Sequence, residues 1–165
     1  MANTNTILTS GTIQKKIGRI AYEIYDNNVG EEEIILAGIL DRGNIVAGKI
    51  RDALHKIAPF RIELIELELN KLQPSAVKVS PKMDFSGKVI ILVDDVANSG
   101  RTLLYAMKPL LEFLPKKIQT AVLVDRMHKA FPVSVDYVGY SLSTTLQDNI
   151  RVDIAGEEIV SAYLI

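Results

Sequence analysis

Residues 89–102 read Val-Ile-Ile-Leu-Val-Asp-Asp-Val-Ala-Asn-Ser-Gly-Arg-Thr, and no other stretch constrains the fold as tightly. Its first five residues are apolar with no polar alternation, which suits a strand buried on both faces, as in a parallel sheet covered by helices. Two adjacent carboxylates, Asp94 and Asp95, close the run. They are expected at the carboxyl end of that strand, where open α/β sheets bind their ligands. The loop Ala97-Asn98-Ser99-Gly100-Arg101-Thr102 offers backbone N–H groups, two hydroxyls and a glycine where a helix is predicted to begin. Such a loop suits a phosphate. Carboxylates for a sugar's hydroxyls beside a cradle for its phosphate imply a phosphorylated sugar as ligand.

Hydrophobic periodicity organises the rest of the chain. Ser10 is a candidate cap for a first helix, in which Ile13, Ile17, Ile20, Ala21 and Ile24 recur at spacings of three and four. Asn27, Asn28 and Gly30 end it. A buried strand is predicted over 34–40, a turn at Asp41-Arg42-Gly43, a second helix over 44–57 closed by Pro59, and a strand over 62–69. The signature strand covers 88–93, and the helix after it 102–114, bent or shortened by Pro109. Further strands are expected over 118–124, 135–138, 150–154 and 159–164. This alternation implies one α/β domain, residues 1–165, with a mostly parallel sheet and helices on its faces. Residues 70–87 have no clear period and contain Pro74, Pro81, Lys71, Lys78 and Lys82. They read as a lid over the site or as a disordered linker.

Composition excludes several classes. The 165 residues are 48% apolar and 24% charged, ordinary values for a globular enzyme. A net charge of −1 gives no global attraction for nucleic acid, so RNA is not favoured as a partner. The chain has no cysteine, and therefore neither disulfides nor thiolate chemistry. Residues 1–10 lack a signal-peptide core and no apolar run spans a membrane, so the expected location is the cytoplasm.

Two more strand ends converge on the same crevice. At the first, Gly43 allows close backbone approach to a ligand and Arg42 can pair with phosphate oxygens. The second, Val124-Asp125-Arg126-Met127-His128-Lys129, ends a buried strand in a cluster of charges. His128 has no histidine partner nearby, so it reads as a surface residue rather than a metal ligand. Tyr137, with Val138 after it, is either a nucleobase-stacking residue or a core tyrosine.

The segment 90–102 closely resembles the phosphoribosyl pyrophosphate (PRPP) signature of type I phosphoribosyltransferases: four apolar residues, two acids, an apolar residue, two variable positions, then Ser/Thr-Gly-x-Thr. The resemblance covers nearly the whole chain and is closest to the bacterial pyrimidine-operon attenuation regulator/uracil phosphoribosyltransferase family. It rests also on Ile7-Leu8, Ile17-Gly18-Arg19-Ile20-Ala21, the Asp41-Arg42-Gly43 turn, residues 121–126 with His128, and Asp136-Tyr137-Val138-Gly139.

The resemblance implies the type I fold, with a small hood from the tail segments and a flexible lid over 70–87. It implies PRPP binding by Leu40, Asp41, Arg42 and Gly43, with a cis bond at Leu40–Asp41, and by Asp94, Asp95 and the loop from Ala97 to Thr102. Asp94, Asp95 and Arg42 become the catalytic candidates, and Asp125, Arg126, Tyr137 and Val138 the base-binding ones. Mg²⁺ is expected to arrive with PRPP and to meet Asp94 and Asp95, directly or through water. A homodimer or higher homo-oligomer is expected. The implied reaction transfers the phosphoribosyl group to a nucleobase, uracil first. The alternatives are a PRPP-sensing, RNA-binding regulator of pyrimidine genes and a hypoxanthine/guanine enzyme.

Oxopurine enzymes usually carry a lysine where Asp125 stands and an aspartate where Asn98 stands, which argues against a purine. As a carboxylate, Asp125 only accepts hydrogen bonds, from a uracil N–H or from a neighbour it orients. The family's lid arginine is absent from Leu69-Asn70-Lys71-Leu72-Gln73, where Lys71 supplies a point charge instead. Tyr22 stands where the regulators usually have histidine.

Overall fold

The computed structural model describes residues 5–145 and 148–165. Its elements in chain order are β1 (Asn5–Thr9), α1 (Ser10–Asn27), β2 (Glu33–Ile39), α2 (Leu40–His55), β3 (Arg61–Leu69), β4 (Val77–Ser80), β5 (Val89–Ala97), α3 (Arg101–Ala106), β6 (Lys117–Arg126), β7 (Tyr137–Leu142), β8 (Ile150–Ala155) and β9 (Glu158–Leu164). Six strands form one sheet in the order β4-β3-β2-β5-β6-β7. All its pairings are parallel except β3 with β4. A second, antiparallel sheet, β1-β9-β8, is the hood.

The central strands are apolar on both faces because both faces are covered. In β5, Val89, Ile91 and Val93 join a core with α1, α2 and the hood, while Ile90 and Leu92 join a second core with α3 and Phe85. Strand β2 divides likewise, Ile34 and Leu36 to the first core, Ile35, Ala37 and Ile39 to the second. The five α1 residues picked out by spacing are all buried. Hood residues Ile150, Val152, Ile159 and Ala162 belong to the first core, so the hood is fixed to the body by packing. No helix among the described residues is long and apolar enough to cross a membrane.

Several expected boundaries move. The α1 cap is Thr9, whose hydroxyl accepts from the Thr12 N–H, not Ser10. Asp41, Arg42 and Gly43 form the first turn of α2 rather than a turn before it. Strand β5 runs on to Ala97, so Asp94 and Val96 still pair with β6 and the two carboxylates lie inside the strand's last residues. Helix α3 stops at Ala106, before Pro109, whose ring and missing N–H do not fit a helix interior. The strand expected over 135–138 starts at Tyr137 instead. Strands β1 and β4 have no clear sequence signal. Each forms because a neighbouring edge, β9 or β3, offers a ladder of hydrogen bonds. The segment 70–87 is thus no linker, and part of it is sheet.

Candidate functional site

Asp94 and Asp95 are 1% and 5% exposed, although both are acids. Their side chains cap the strand's own backbone: Asp94 Oδ1 accepts from the Asp95 N–H at 2.8 Å, and Asp95 Oδ1 from the Val96 N–H at 2.9 Å. Burial, reinforced by the charge of Asp95, pushes the Asp94 carboxyl well above the usual carboxylate range, and Lys71 acts in the opposite sense. Gly43 of α2 lies against this pair. A Cβ on it would stand 2.6 Å from the Val93 carbonyl oxygen and 3.2 Å from Asp94 Oδ1. Only glycine allows α2 to begin this close to the carboxylates.

A cavity of about 370 Å³ opens beside Asp95, lined also by Arg42, Lys71, Val96, Asn98, Ile150, Arg151 and Val152. The buried Asn98 side-chain oxygen has no hydrogen-bond partner in the protein. A buried acceptor without a partner is costly and is ready for a ligand donor. The opposite wall is β8, one of the two edge strands of the hood. Asn149 and Ile165 exchange both backbone hydrogen bonds, at 3.0 and 2.9 Å. By the alternation of an antiparallel ladder, Ile150 and Val152 then turn their N–H and C=O groups away from β9, toward the cavity.

The loop after β5 is shaped by Gly100, whose φ of 83° suits glycine. The Ser99 hydroxyl accepts from the Arg101 N–H at 3.2 Å, and the Ser99 carbonyl from the Phe131 N–H at 3.0 Å. Arg101 reaches across to the segment after β3, donating to the carbonyls of Lys71 and Leu72 at 2.8 and 2.9 Å. Asn70 caps the same turn through the N–H groups of Leu72 and Gln73. The turn these contacts fix carries Lys71, which lines the same cavity as Asp95. Arg101→Ala is expected to cost about 1 kcal/mol of local closing free energy and to speed protease cleavage at 71–76 about fivefold. Unchanged cleavage rates would mean that Arg101 does not hold this segment in place.

The residues expected at the site divide into three groups. Arg42, Asp95 and Asn98 meet in the cavity, with Asp94 and Gly43 directly behind it. Leu40 and Asp41 line a neighbouring cleft with Glu68, Asn70 and Lys78. Leu40 is a non-glycine residue at φ 55°, a costly conformation. The cis bond expected at Leu40–Asp41 is not present, and the chain turns there through the Leu40 torsion instead. Ala97 is buried under α3.

The expected base-binding set is not brought to the cavity. Asp125 forms a 2.7 Å ion pair with Lys129 in a different cleft. Arg126 donates to the Thr145 carbonyl at 2.8 Å. Tyr137 is the core tyrosine of the two readings: it is 2% exposed, its hydroxyl donates to Gln119 at 2.7 Å, and burial raises its pKa to about 12. The Val138 carbonyl accepts from Arg19. The residues that do face Asp95 and Asn98 are Ile150, Arg151 and Val152. Their alternation marked them as a strand, but no local signal tells which strand edge turns toward the carboxylates.

Comparison with known proteins shows the family and the fold. A family model described as the phosphoribosyl transferase domain matches residues 3–154. The chain is 35% identical to the bifunctional protein PyrR of Clostridium acetobutylicum, over 95% of this chain and 96% of that protein. It is 37% identical to the bifunctional protein PyrR of Pelotomaculum thermopropionicum, over 93% and 92%. Among solved structures, a hypoxanthine phosphoribosyltransferase of Trypanosoma cruzi superposes with a TM-score of 0.78 at 18% identity, covering 95% of each chain. A hypoxanthine-guanine phosphoribosyltransferase of Bacillus anthracis superposes at 0.75 with 20% identity, covering 95% of this chain and 96% of that one. At such identities the superpositions establish the type I phosphoribosyltransferase fold and not the base.

Proposed function

This chain belongs to the phosphoribosyl transferase family, and from that premise we propose that it transfers the phosphoribosyl group of PRPP to uracil, releasing pyrophosphate. The observation that carries the reading is the buried Asp94–Asp95 pair opening on a cavity whose far wall is a strand edge. The carboxylates suit the ribose 2- and 3-hydroxyls as acceptors. The loop from Ala97 to Thr102 suits the 5-phosphate. Backbone N–H and C=O groups of Ile150 and Val152, together with the Asn98 amide, suit a base that presents alternating N–H and C=O groups, as uracil does.

Magnesium fits the donor set. Asp94 and Asp95 are hard oxygen donors, and Mg²⁺ binds through one or two carboxylates when a substrate's phosphates complete its shell. When bound, the ion would neutralise charge on the leaving pyrophosphate. The chain's own part is positioning: the carboxylates hold the ribose, Lys71 places a cation beside them, and the lid keeps water from the sugar's C1. The bond from C1 to pyrophosphate breaks through an oxocarbenium-like state, a base nitrogen forms the new bond, and that nitrogen's proton passes to the released pyrophosphate or to water.

The regulator reading receives less support. Arg19 and Arg42, the basic residues shared with those regulators, have their guanidinium groups engaged by backbone carbonyls of β7 and β8. Pyrophosphate release from PRPP and Mg²⁺, measured with uracil, hypoxanthine, guanine, xanthine and adenine in parallel, tests the proposal. Turnover is expected with uracil. Turnover with an oxopurine alone would replace uracil by a purine. PRPP binding without turnover on any base would favour the regulator, to be pursued through salt-dependent binding of RNA hairpins.

A further inference from the structure

We propose that Arg42 is a positioning residue for the base wall rather than a clamp on pyrophosphate, and that it couples the two halves of the cavity. The inference rests on the reading above that the base lies against β8. Arg42 sits in the first turn of α2, yet its guanidinium donates to the carbonyl of Val152 in the hood, 110 residues away in sequence. A charged donor makes this a stronger bond than one between neutral groups. The acceptor is one of the backbone groups that alternation turns out of the hood sheet and into the cavity.

Two further observations give the contact its consequence. The backbone around Arg42 has little freedom to move without the carboxylates, because Gly43 is pressed onto Val93 and Asp94 and Leu40 is held at φ 55°. The hood is a separate sheet from the one that carries the carboxylates, and β8 is one of its two edge strands. Arg42 is therefore a direct polar tie between the turn beside the carboxylates and the edge that would read the base. Lys71 and Arg151 are the other cations lining the cavity, and among the described residues neither forms an ion pair. A ligand that draws on the α2 turn shifts the β8 edge, and by linkage the base and pyrophosphate alter each other's affinity by the same factor.

The test uses the full chain and the variants Arg42→Ala and Arg42→Lys, the second keeping a donor if the first folds poorly. The first readout is steady-state kinetics with PRPP and whichever base turns over. Arg42→Ala is expected to raise KM for the base about tenfold with KM for PRPP within about threefold, and Arg42→Lys to recover part of the loss. The second readout is amide hydrogen exchange of residues 150–155 with and without Mg²⁺-pyrophosphate. Exchange in the wild type is expected to respond to pyrophosphate, and in Arg42→Ala to be faster and indifferent to it. A raised KM for PRPP with an unchanged KM for base would make Arg42 a phosphate clamp and overturn the proposal. So would pyrophosphate binding, seen by titration, that leaves 150–155 unaffected in the wild type. Failure of the wild type to bind either PRPP or pyrophosphate would overturn the phosphoribosyl reading itself, and this proposal with it.

Discussion

Asp94→Asn is expected to remove pyrophosphate release almost completely while raising the melting temperature at neutral pH. On the proposed function, the variant loses a charged acceptor for the ribose, which costs about 10²–10³-fold for one such group, and Asp94→Asn with Asp95→Asn together should leave no measurable turnover. The stability gain follows from burial. Asp94 is 1% exposed, and its carboxyl is held well above its ordinary pKa of 3.8, first by burial and then by the charge of Asp95. Between the ordinary and the raised value the folded chain binds more protons than the unfolded one. Stability therefore falls as pH rises through that window, and the penalty is complete above the folded pKa.

Asparagine has no proton to lose, and its oxygen can still accept from the Asp95 N–H. The variant should gain about 2–4 °C for each kcal/mol of penalty removed at pH 7, with the difference from wild type vanishing near pH 4. Melting curves across this pH range, alongside the release assay, check both halves. Full turnover in the variant would remove Asp94 from the site. A lower melting temperature at neutral pH would mean that the buried charge is compensated by something other than a ligand.

Gly43→Ala is expected to cost both stability and activity. The new methyl would meet backbone, the Val93 carbonyl oxygen at 2.6 Å and the Asp94 Cα at 3.1 Å, so α2 and β5 must separate. Overpacking of this kind costs about 1–3 kcal/mol. The displaced groups include Asp94 and the turn carrying Arg42, and a shift approaching 1 Å in such a constellation costs about 10²-fold in rate. Gly48→Ala is the control within the same helix, since nothing lies within 4 Å of its added methyl. That variant should be neutral or slightly stabilised, because alanine favours the helix by about 0.5–1 kcal/mol over glycine. Denaturation and pyrophosphate release on both variants separate packing from propensity. Equal behaviour of the two would mean that α2 does not bear on the carboxylates.

Side-chain period alone was enough to specify several parts of this protein. The stripe from Ile13 to Ile24 has one face and so can only be an amphipathic helix against a core. The run of residues 89–93 has no polar side and so needs cover on both faces, which β5 receives from the two cores. The position of Asp94, Asp95 and Asn98 followed from their distance along that strand. Tertiary structure decided what depends on pairing and on edges. Strands β1 and β4 exist because β9 and β3 had unsatisfied edges, a property of the neighbour and not of their own residues. The side chains of Tyr137 and Val152 both went to the first core, but the β8 backbone beside Val152 also lines the cavity because β8 is an edge strand of the hood. Arg42 found a carbonyl rather than a free place in the crevice because the hood folds over α2. Local period fixes which face of an element is apolar, but only the assembled sheets fix which backbone edge is left to meet a ligand.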